Sequence, residues 1–405
     1  MPAFYKEWFY RAKLSLMGRM ITKPQPKPMV FVGADSSLQL CKTIAQFGTR
    51  SILVVTDKPL VELGVLNGTL EALEGHGVTA HIYDGVLPDP TQKVVDDGIA
   101  VLRQHNCDSV LAFGGGSSID AAKVIALAGG NNCLAADCEG VNKCALPSLP
   151  FFAIPTTAGT GSEATFIAVI SDNETHQKAA VIGPGIIPKA AALDPVLMQG
   201  LPAHITAATG MDALTHAIES YIGTWETEET NYYGLASTKL VFDNLAEACH
   251  NGSNLAAREA MALASFYGGL SITNALVGYV HAVSHNLGAR YGVAHGLGNA
   301  MVLPHVLDML KDVSAKKLGE IAVHVGLGQS SEGDAVLAQK VIDKVWELNT
   351  QIGIPGTTDV IKEEDIEDLL DDVLSEGSAY PTPRFFERAE CRTLIHSLRT
   401  PATLP

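Results

Sequence analysis

The chain has 405 residues, 47% of them hydrophobic, and a formal net charge of −16. That length allows two or three domains with large cores, and the acidic balance argues against sequence-independent nucleic-acid binding. No eighteen-residue apolar run marks a transmembrane helix, so no membrane partner is expected.

Residues 1–20 carry Lys6, Arg11, Lys13 and Arg19 against one acid, Glu7. Charges interrupt each apolar stretch, which excludes a secretory h-region. A transit peptide or membrane-surface helix is set against an amphipathic helix packed on the protein, and the packed helix is preferred. KPQPKP at 23–28 then closes a 1–27 extension. From Met29 strand and helix patterns alternate: strands at 29–33, 51–57 and VTAHIYDGV, with helical stretches SSLQLCKTIAQFG, PLVELGVLNGTLEALEGHG and VVDDGIAVLRQHN between and after them. DSVLAFGGGSSIDAAKVIALA (108–128) reads as strand, glycine loop and helix, followed by the strand of PFFAIPTTAGTGSEAT and a β-ribbon, FIAVISDNETHQKAAVIG. This alternation predicts an α/β domain with a parallel, Rossmann-like sheet over 28–199. From Ala203 long helical patterns take over, at 203–223, 229–249, 255–287, 297–326, 333–352 and 362–374. They predict an all-α domain over 200–405, with a cleft between the halves as the default site. Seven cysteines without a C-x-x-C pair read as reduced thiols of a cytosolic protein, and Cys133, Cys138 and Cys144 as part of a surface loop.

Gly114, Gly115, Gly116 and Ser117 follow a strand and open a helix. Such a loop lets phosphate oxygens approach backbone N–H groups at a favourable dipole end, although a tight βα turn gives the same pattern. Asp57 ends an early strand. It either accepts ribose hydroxyls, repelling a 2′-phosphate and so favouring NAD over NADP, or caps the next helix. PTTAGTGSE (155–163) offers Thr156, Thr157 and Thr160 for pyrophosphate or nicotinamide, or else is a polar loop with helix caps. Lys178 is the ribbon's basic side chain for the cofactor, or an ordinary surface lysine.

The helical half holds the second set. GYVHAVSHNLGARYGVAHG places His281 and His285 four apart on one helical face and returns His295 after a loop. GMDALTHAIESYI repeats that spacing with Asp212 and His216. Each pair alone reads as core or local structure. Together they point to a carboxylate and several imidazoles around one divalent cation, because an Asp among apolar residues is seldom buried unpaired.

In their order, TDK, GGGSxxD, PTTAGTGSE, GMDALTHAIE, GYVHAVSHxLGA and HG resemble the iron-dependent (group III) alcohol dehydrogenases over roughly residues 29–310, with a weaker match in YPTPR (380–384). The resemblance implies a dehydroquinate synthase-like/iron-containing alcohol dehydrogenase fold, NAD, and Fe2+ or Zn2+ on Asp212, His216, His281 and His295. It puts the family's extra histidine on His285 and cofactor contacts on Asp57, Gly115, Gly116, Ser117, Thr156, Thr157, Thr160 and Lys178. It also implies a dimer or larger assembly and a small alcohol or aldehyde as substrate. The expected reaction is hydride transfer between an alcohol carbon and nicotinamide C4, with the cation polarising the substrate oxygen. His285 is then a proton relay or a packing residue. Two positions depart from the family pattern: Asp89 replaces the usual Asn in Pro88-Asp89-Pro90-Thr91, making that cofactor contact anionic, and Ala294 replaces the Pro before His295, loosening the loop. Zinc glycerol dehydrogenase-like and dehydroquinate synthase-like enzymes remain alternatives on a related frame, as does a non-catalytic nucleotide-binding protein.

Overall fold

The structure, a computed structural model, describes residues 10–15, 18, 22–174 and 178–400. The chain forms two compact units: one of Gln25–Leu201 with Gly252–Gly269, and one of Met1–Pro24, Pro202–Asn251 and Leu270–Pro405.

The first unit is α/β. Its strands are β1 (Met29–Val32), β2 (Ser51–Val55), β3 (Thr79–Tyr83), β4 (Ser109–Gly114), β5 (Gly140–Val141), β6 (Phe151–Pro155), β7 (Ile167–Ser171), β8 (Lys178–Ile182) and β9 (Ala190–Leu193). Six of them form one sheet in the order β1-β9-β6-β4-β2-β3, every pairing parallel. β4 and β6 are buried throughout, as continuous apolar runs covered on both faces should be. The covering helices are α1 (Ser36–Gln46), α2 (Lys58–Glu62), α3 (Asn67–Gly75), α4 (Gln92–Gln104) and α5 (Gly116–Asn131). The helical pattern from Pro59 divides at Leu63–Leu66 into α2 and α3. β9 escaped the sequence reading because AAAL carries no β-branched or aromatic residue, yet it lies between β1 and β6. The expected ribbon is β7 and β8, antiparallel, with β5 added along β8.

The second unit is helical: α6 (Ala203–Ile222), α7 (Glu228–His250), α9 (Tyr279–Tyr291), α10 (His295–His324), α11 (Asp334–Gln351), α12 (Ile366–Gly377) and α13 (Arg388–Ser397). The single helix expected over 255–287 is two, α8 (Leu255–Ala275) and α9. Leu276 takes a left-handed φ of 56°, and Gly278 follows it. α13 was not expected. α6 is buried nearly all round, and its Asp212 is only 2% exposed.

Of the 1–27 extension, residues 10–15 are helical. Leu14 is buried, and the Arg11 guanidinium donates to the carbonyls of Thr382 and Pro383 at 3.0 and 2.8 Å. Lys6, Glu7 and Arg19 lie outside the described residues. The cysteine segment lies at the surface, with Leu134 and Val141 exposed, but its thiols turn inward: Cys138 is only 1% exposed, and Cys133 and Cys144 pack against the α/β core.

Candidate active site

Three helices deliver the metal-type side chains. Asp212 and His216 project from α6 one turn apart, His281 and His285 do the same on α9, and His295 is the first residue of α10. The Nε2 atoms of His295, His216 and His281 lie 3.4, 3.6 and 3.9 Å from Asp212 Oδ1. Ligands held tetrahedrally at ~2.1 Å from a cation are separated by ~3.4 Å. One ligand atom from each of these four residues lies within 4.8 Å of the others. Asp212, His216 and His281 are buried, while the His295 side chain is 34% exposed and gives the centre one open side.

The electrostatics fit a cation. Burial pushes the Asp212 carboxyl up, but His216, His295 and His281 outweigh it and hold the group well below the usual carboxylate range. Burial, reinforced by the neighbouring imidazoles, drives His281 well below its ordinary value, so it is neutral, the form that ligates metals. Asn299 donates Nδ2–H to Asp212 Oδ1 at 2.7 Å, while its Oδ1 is buried with no hydrogen-bond partner among the described residues. The same Nδ2 lies 3.2 Å from Nε2 of His281 and of His295, so one amide nitrogen faces three acceptor atoms, and His216 Nε2, 3.6 Å from Asp212 Oδ1, adds a fourth. A cation satisfies that excess of lone pairs.

Sequence reading missed Asn299, Glu219 and Glu376. Glu219 Oε2 lies 2.6 Å from His281 Nδ1, and Oε1 accepts the Val280 N–H at 2.7 Å. The signal was present, since Asp212, His216 and Glu219 at i, i+4 and i+7 share one helical face. A Cβ on Gly278 would sit 2.8 Å from Glu219 Oε1, so this glycine makes room for the carboxylate. His285 stands outside the four-donor group. Its ring stacks on His295 at 5.1 Å, and its Nδ1 lies 2.6 Å from Glu376 Oε1, which also accepts the Tyr380 hydroxyl at 2.7 Å. Two contacts position α10 against its neighbours. Ser284 Oγ donates to the His295 carbonyl at 3.0 Å, and a Cβ on Gly296 would come within 2.4 Å of the Ala208 carbonyl. Ala294 does not disturb the loop: its φ of −58° is the angle a proline would fix, and its carbonyl accepts the Gly298 N–H at 2.9 Å.

In the α/β unit, β2 leads outward to β3, whereas β4 begins the run toward β6, so strand order reverses between β2 and β4. Ligands of open parallel sheets bind in the crevice at the carboxyl ends of such strands. Asp57 follows β2, Gly115 and Ser117 follow β4, and Thr156 follows β6. Asp57 does cap α2, accepting the Leu60 N–H on Oδ1 at 3.0 Å. Gly114 has φ 153°, and a Cβ there would meet Ser118 Oγ at 2.5 Å. Cβ atoms on Gly115 and Gly116 would meet Thr157 Oγ1 at 3.3 Å and Thr160 Cγ2 at 2.6 Å, so the glycine and threonine loops lie against each other. Gly161 (φ 58°) holds the threonine loop on α8, its N–H donating to Ser265 Oγ at 3.1 Å. Lys178 Nζ pairs with Asp89 Oδ1 at 3.1 Å, which offsets the anionic departure noted in the sequence.

Comparison with known proteins bears on these two sites together. The family model described as iron-containing alcohol dehydrogenase matches residues 26–195, and that of the Fe-containing alcohol dehydrogenase family, C-terminal, matches residues 206–398. Alcohol dehydrogenase 4 of Schizosaccharomyces pombe is 39% identical over 355 residues, covering 87% of this chain and 83% of the relative. The NAD-dependent methanol dehydrogenase of Bacillus methanolicus is 36% identical over 359 residues, covering 88% and 94%. Among solved structures, a 1,3-propanediol oxidoreductase superposes with a TM-score of 0.88 at 35% identity, covering 93% of this chain and 99% of its own. The fold class and the enzyme class expected from the motifs are both borne out, and the dehydroquinate synthase-like and non-catalytic readings fall away. The chain belongs to the iron-containing alcohol dehydrogenase family, and it is an alcohol dehydrogenase.

Proposed function

We propose that the chain interconverts small alcohols and aldehydes with NAD(H) and a resident divalent cation, Fe2+ in preference to Zn2+. Asp212, His216, His281 and His295 hold the cation, and Asp57, Gly114, Gly115, Gly116, Ser117, Thr156, Thr157, Thr160 and Lys178 hold the nucleotide. The observation that carries this reading is the convergence of one carboxylate oxygen and three imidazole nitrogens in a buried pocket with one open side. When bound, the cation supplies Lewis-acid polarisation of the substrate oxygen and NAD supplies the hydride acceptor.

The chain's own residues supply orientation and proton handling. Glu219 on His281 Nδ1 fixes the imidazole so that Nε2 presents its lone pair to the centre. Asp212 contributes the negative charge that three neutral imidazoles lack. His285, with Nδ1 engaged by Glu376, exchanges the alcohol proton at Nε2 and is the catalytic residue of the set. Backbone N–H groups at the start of α5 face the phosphates, and Asp57 accepts from the ribose while repelling a 2′-phosphate. Domain limits of 28–199 for nucleotide and 200–405 for metal, after a 1–27 extension, are supported by the family-model boundaries at 195 and 206. The Gly252–Gly269 segment nonetheless groups with the α/β unit. Seven unbridged cysteines support a cytosolic compartment, and the family supports a homodimer or larger assembly. Among the described residues no single helix is long and apolar enough to cross a membrane.

The test is oxidation of NADH and of NADPH with a panel of short aldehydes by anaerobically purified protein. Turnover with NADH, lost on chelation and regained with Fe2+, is expected. Turnover untouched by chelation, or confined to NADPH, contradicts the metal or the nucleotide assignment respectively.

A further inference from the structure

A second group of ligating side chains stands in the α/β unit, apart from anything the alcohol dehydrogenase reaction uses. Cys133, Cys138 and Cys144 are separated in sequence by spacings that suggest no metal motif, yet their sulfurs converge. Cys138 Sγ lies 3.7 Å from Cys133 Sγ and 3.5 Å from Cys144 Sγ, and all three fall within 4.8 Å of one another. We propose that these three thiols form a binding site for a single thiophilic cation such as Zn2+ or Cu+.

The distances favour this over the two bland readings. A disulfide needs two sulfurs at ~2.05 Å and would leave the third without a role. Simple core packing explains one buried cysteine, not three sulfurs converging at the edge of the core. Sulfurs bound tetrahedrally to zinc at ~2.3 Å are ~3.8 Å apart, close to the spacings seen here.

The loop that carries the thiols is anchored on all sides. Asn132, left-handed with φ 53°, ends α5 and turns the chain into Cys133. Asn131 then closes the loop by exchanging two side-chain hydrogen bonds with Leu146, to its carbonyl at 2.9 Å and from its N–H at 2.8 Å. α4 holds the other side: Asp96 Oδ1 accepts the Ala135 N–H at 2.9 Å, Gln92 Nε2 donates to Glu139 Oε1 at 2.5 Å, and Arg103 Nη2 donates to the Cys133 carbonyl at 2.8 Å. β5, running beside β8, carries the chain on toward Cys144. Such anchoring is what a preorganised ligand set requires.

The chemistry is proton exchange without redox change. Three S–H bonds release their protons to solvent as three metal–sulfur bonds form. With a divalent ion the group carries one net negative charge, which the Arg103 guanidinium beside Cys133 offsets. Among the described residues no fourth His, Cys, Asp or Glu joins the cluster, and Cys133 and Cys144 are partly exposed. The fourth position is therefore left to water or a small thiol for Zn2+, and is not needed by trigonal Cu+.

The test uses air-free full-length enzyme with its catalytic site already loaded, titrated with Cd2+ as a spectroscopic stand-in for Zn2+. The expected result is an ultraviolet sulfur-to-cadmium charge-transfer band saturating at one equivalent. Cys133, Cys138 and Cys144 should then resist alkylation, as read by mass spectrometry. Cys138→Ser should abolish the band. Because Cys138 is buried and its variant could fail to fold, Cys144→Ser provides the second arm, with weakened binding and unchanged aldehyde reduction. No band in the native protein, a band that survives both substitutions, or a Cys133–Cys138 disulfide in the air-free enzyme overturns the proposal.

Discussion

Glu219 and His281 share a 2.6 Å contact in which each side chain is 3% exposed, and it connects two helices of the proposed metal centre. The two carboxyl oxygens divide the work, Oε1 accepting the Val280 N–H at 2.7 Å and Oε2 facing His281 Nδ1. Glu219→Gln keeps the shape but must turn an NH2 toward either the Val280 N–H or His281 Nδ1–H, setting donor against donor. Metal affinity should fall about 10–100-fold with secondary structure retained, as for other partners of ligating histidines. Metal-competition titration with a chromophoric chelator reads it, and unchanged affinity would mean that the contact only packs.

His285 tests the proton route separately from the metal. Its ring stacks on His295 but is not among the four converging donors. His285→Asn should leave metal content intact while lowering kcat and displacing the pH–rate profile, since loss of one general acid–base group costs about 10²–10⁴-fold. An undisturbed profile would return His285 to a packing role.

Asp57 has a cap role and a proposed ribose role that one substitution separates. Asn caps helices about as well as Asp, so Asp57→Asn should hold α2 and leave thermal stability nearly unchanged. It removes the negative charge, and the NADPH-to-NADH ratio of kcat/KM should rise. A constant ratio would confine Asp57 to capping.

Glu163, in the threonine loop, is 2% exposed, and burial raises its carboxyl to about 7 from 4.5 despite the nearby Lys123. The folded chain therefore keeps a proton that the unfolded chain releases above 4.5. Stability should fall as pH rises from 4.5 to 7, by about 3 kcal/mol at 1.36 kcal/mol per unit. Glu163→Gln should flatten this slope in denaturant titrations run across that window; an identical slope would assign it to other groups.

The parallel sheet was legible because apolar strand runs alternate with amphipathic helices, and Asp212 with His216 because their i, i+4 spacing puts both on one helical face; in the second such pair only His281 joins the four donors, and His295 completes them from the start of the next helix. β9 was not, since AAAL reads as helix former or filler until its neighbours β1 and β6 are known. Nor was the break after Ala275, where the apolar pattern continues through Leu276 although the backbone turns left-handed. Glu376 was invisible for another reason, since its partner His285 lies 91 residues away, whereas Glu219 shares a helical face with Asp212 and His216 and was overlooked. The convergence of the three cysteine sulfurs was not legible, because the fold, not the spacing, brings them together.

The most direct test of the metal centre is elemental analysis of anaerobically purified native protein beside His281→Ala, each assayed for aldehyde reduction before and after chelation. Stoichiometric iron or zinc in the native chain, its loss in the variant, and activity that follows metal content are the predicted results. A metal-free native chain with full activity would contradict the assignment of Asp212, His216, His281 and His295.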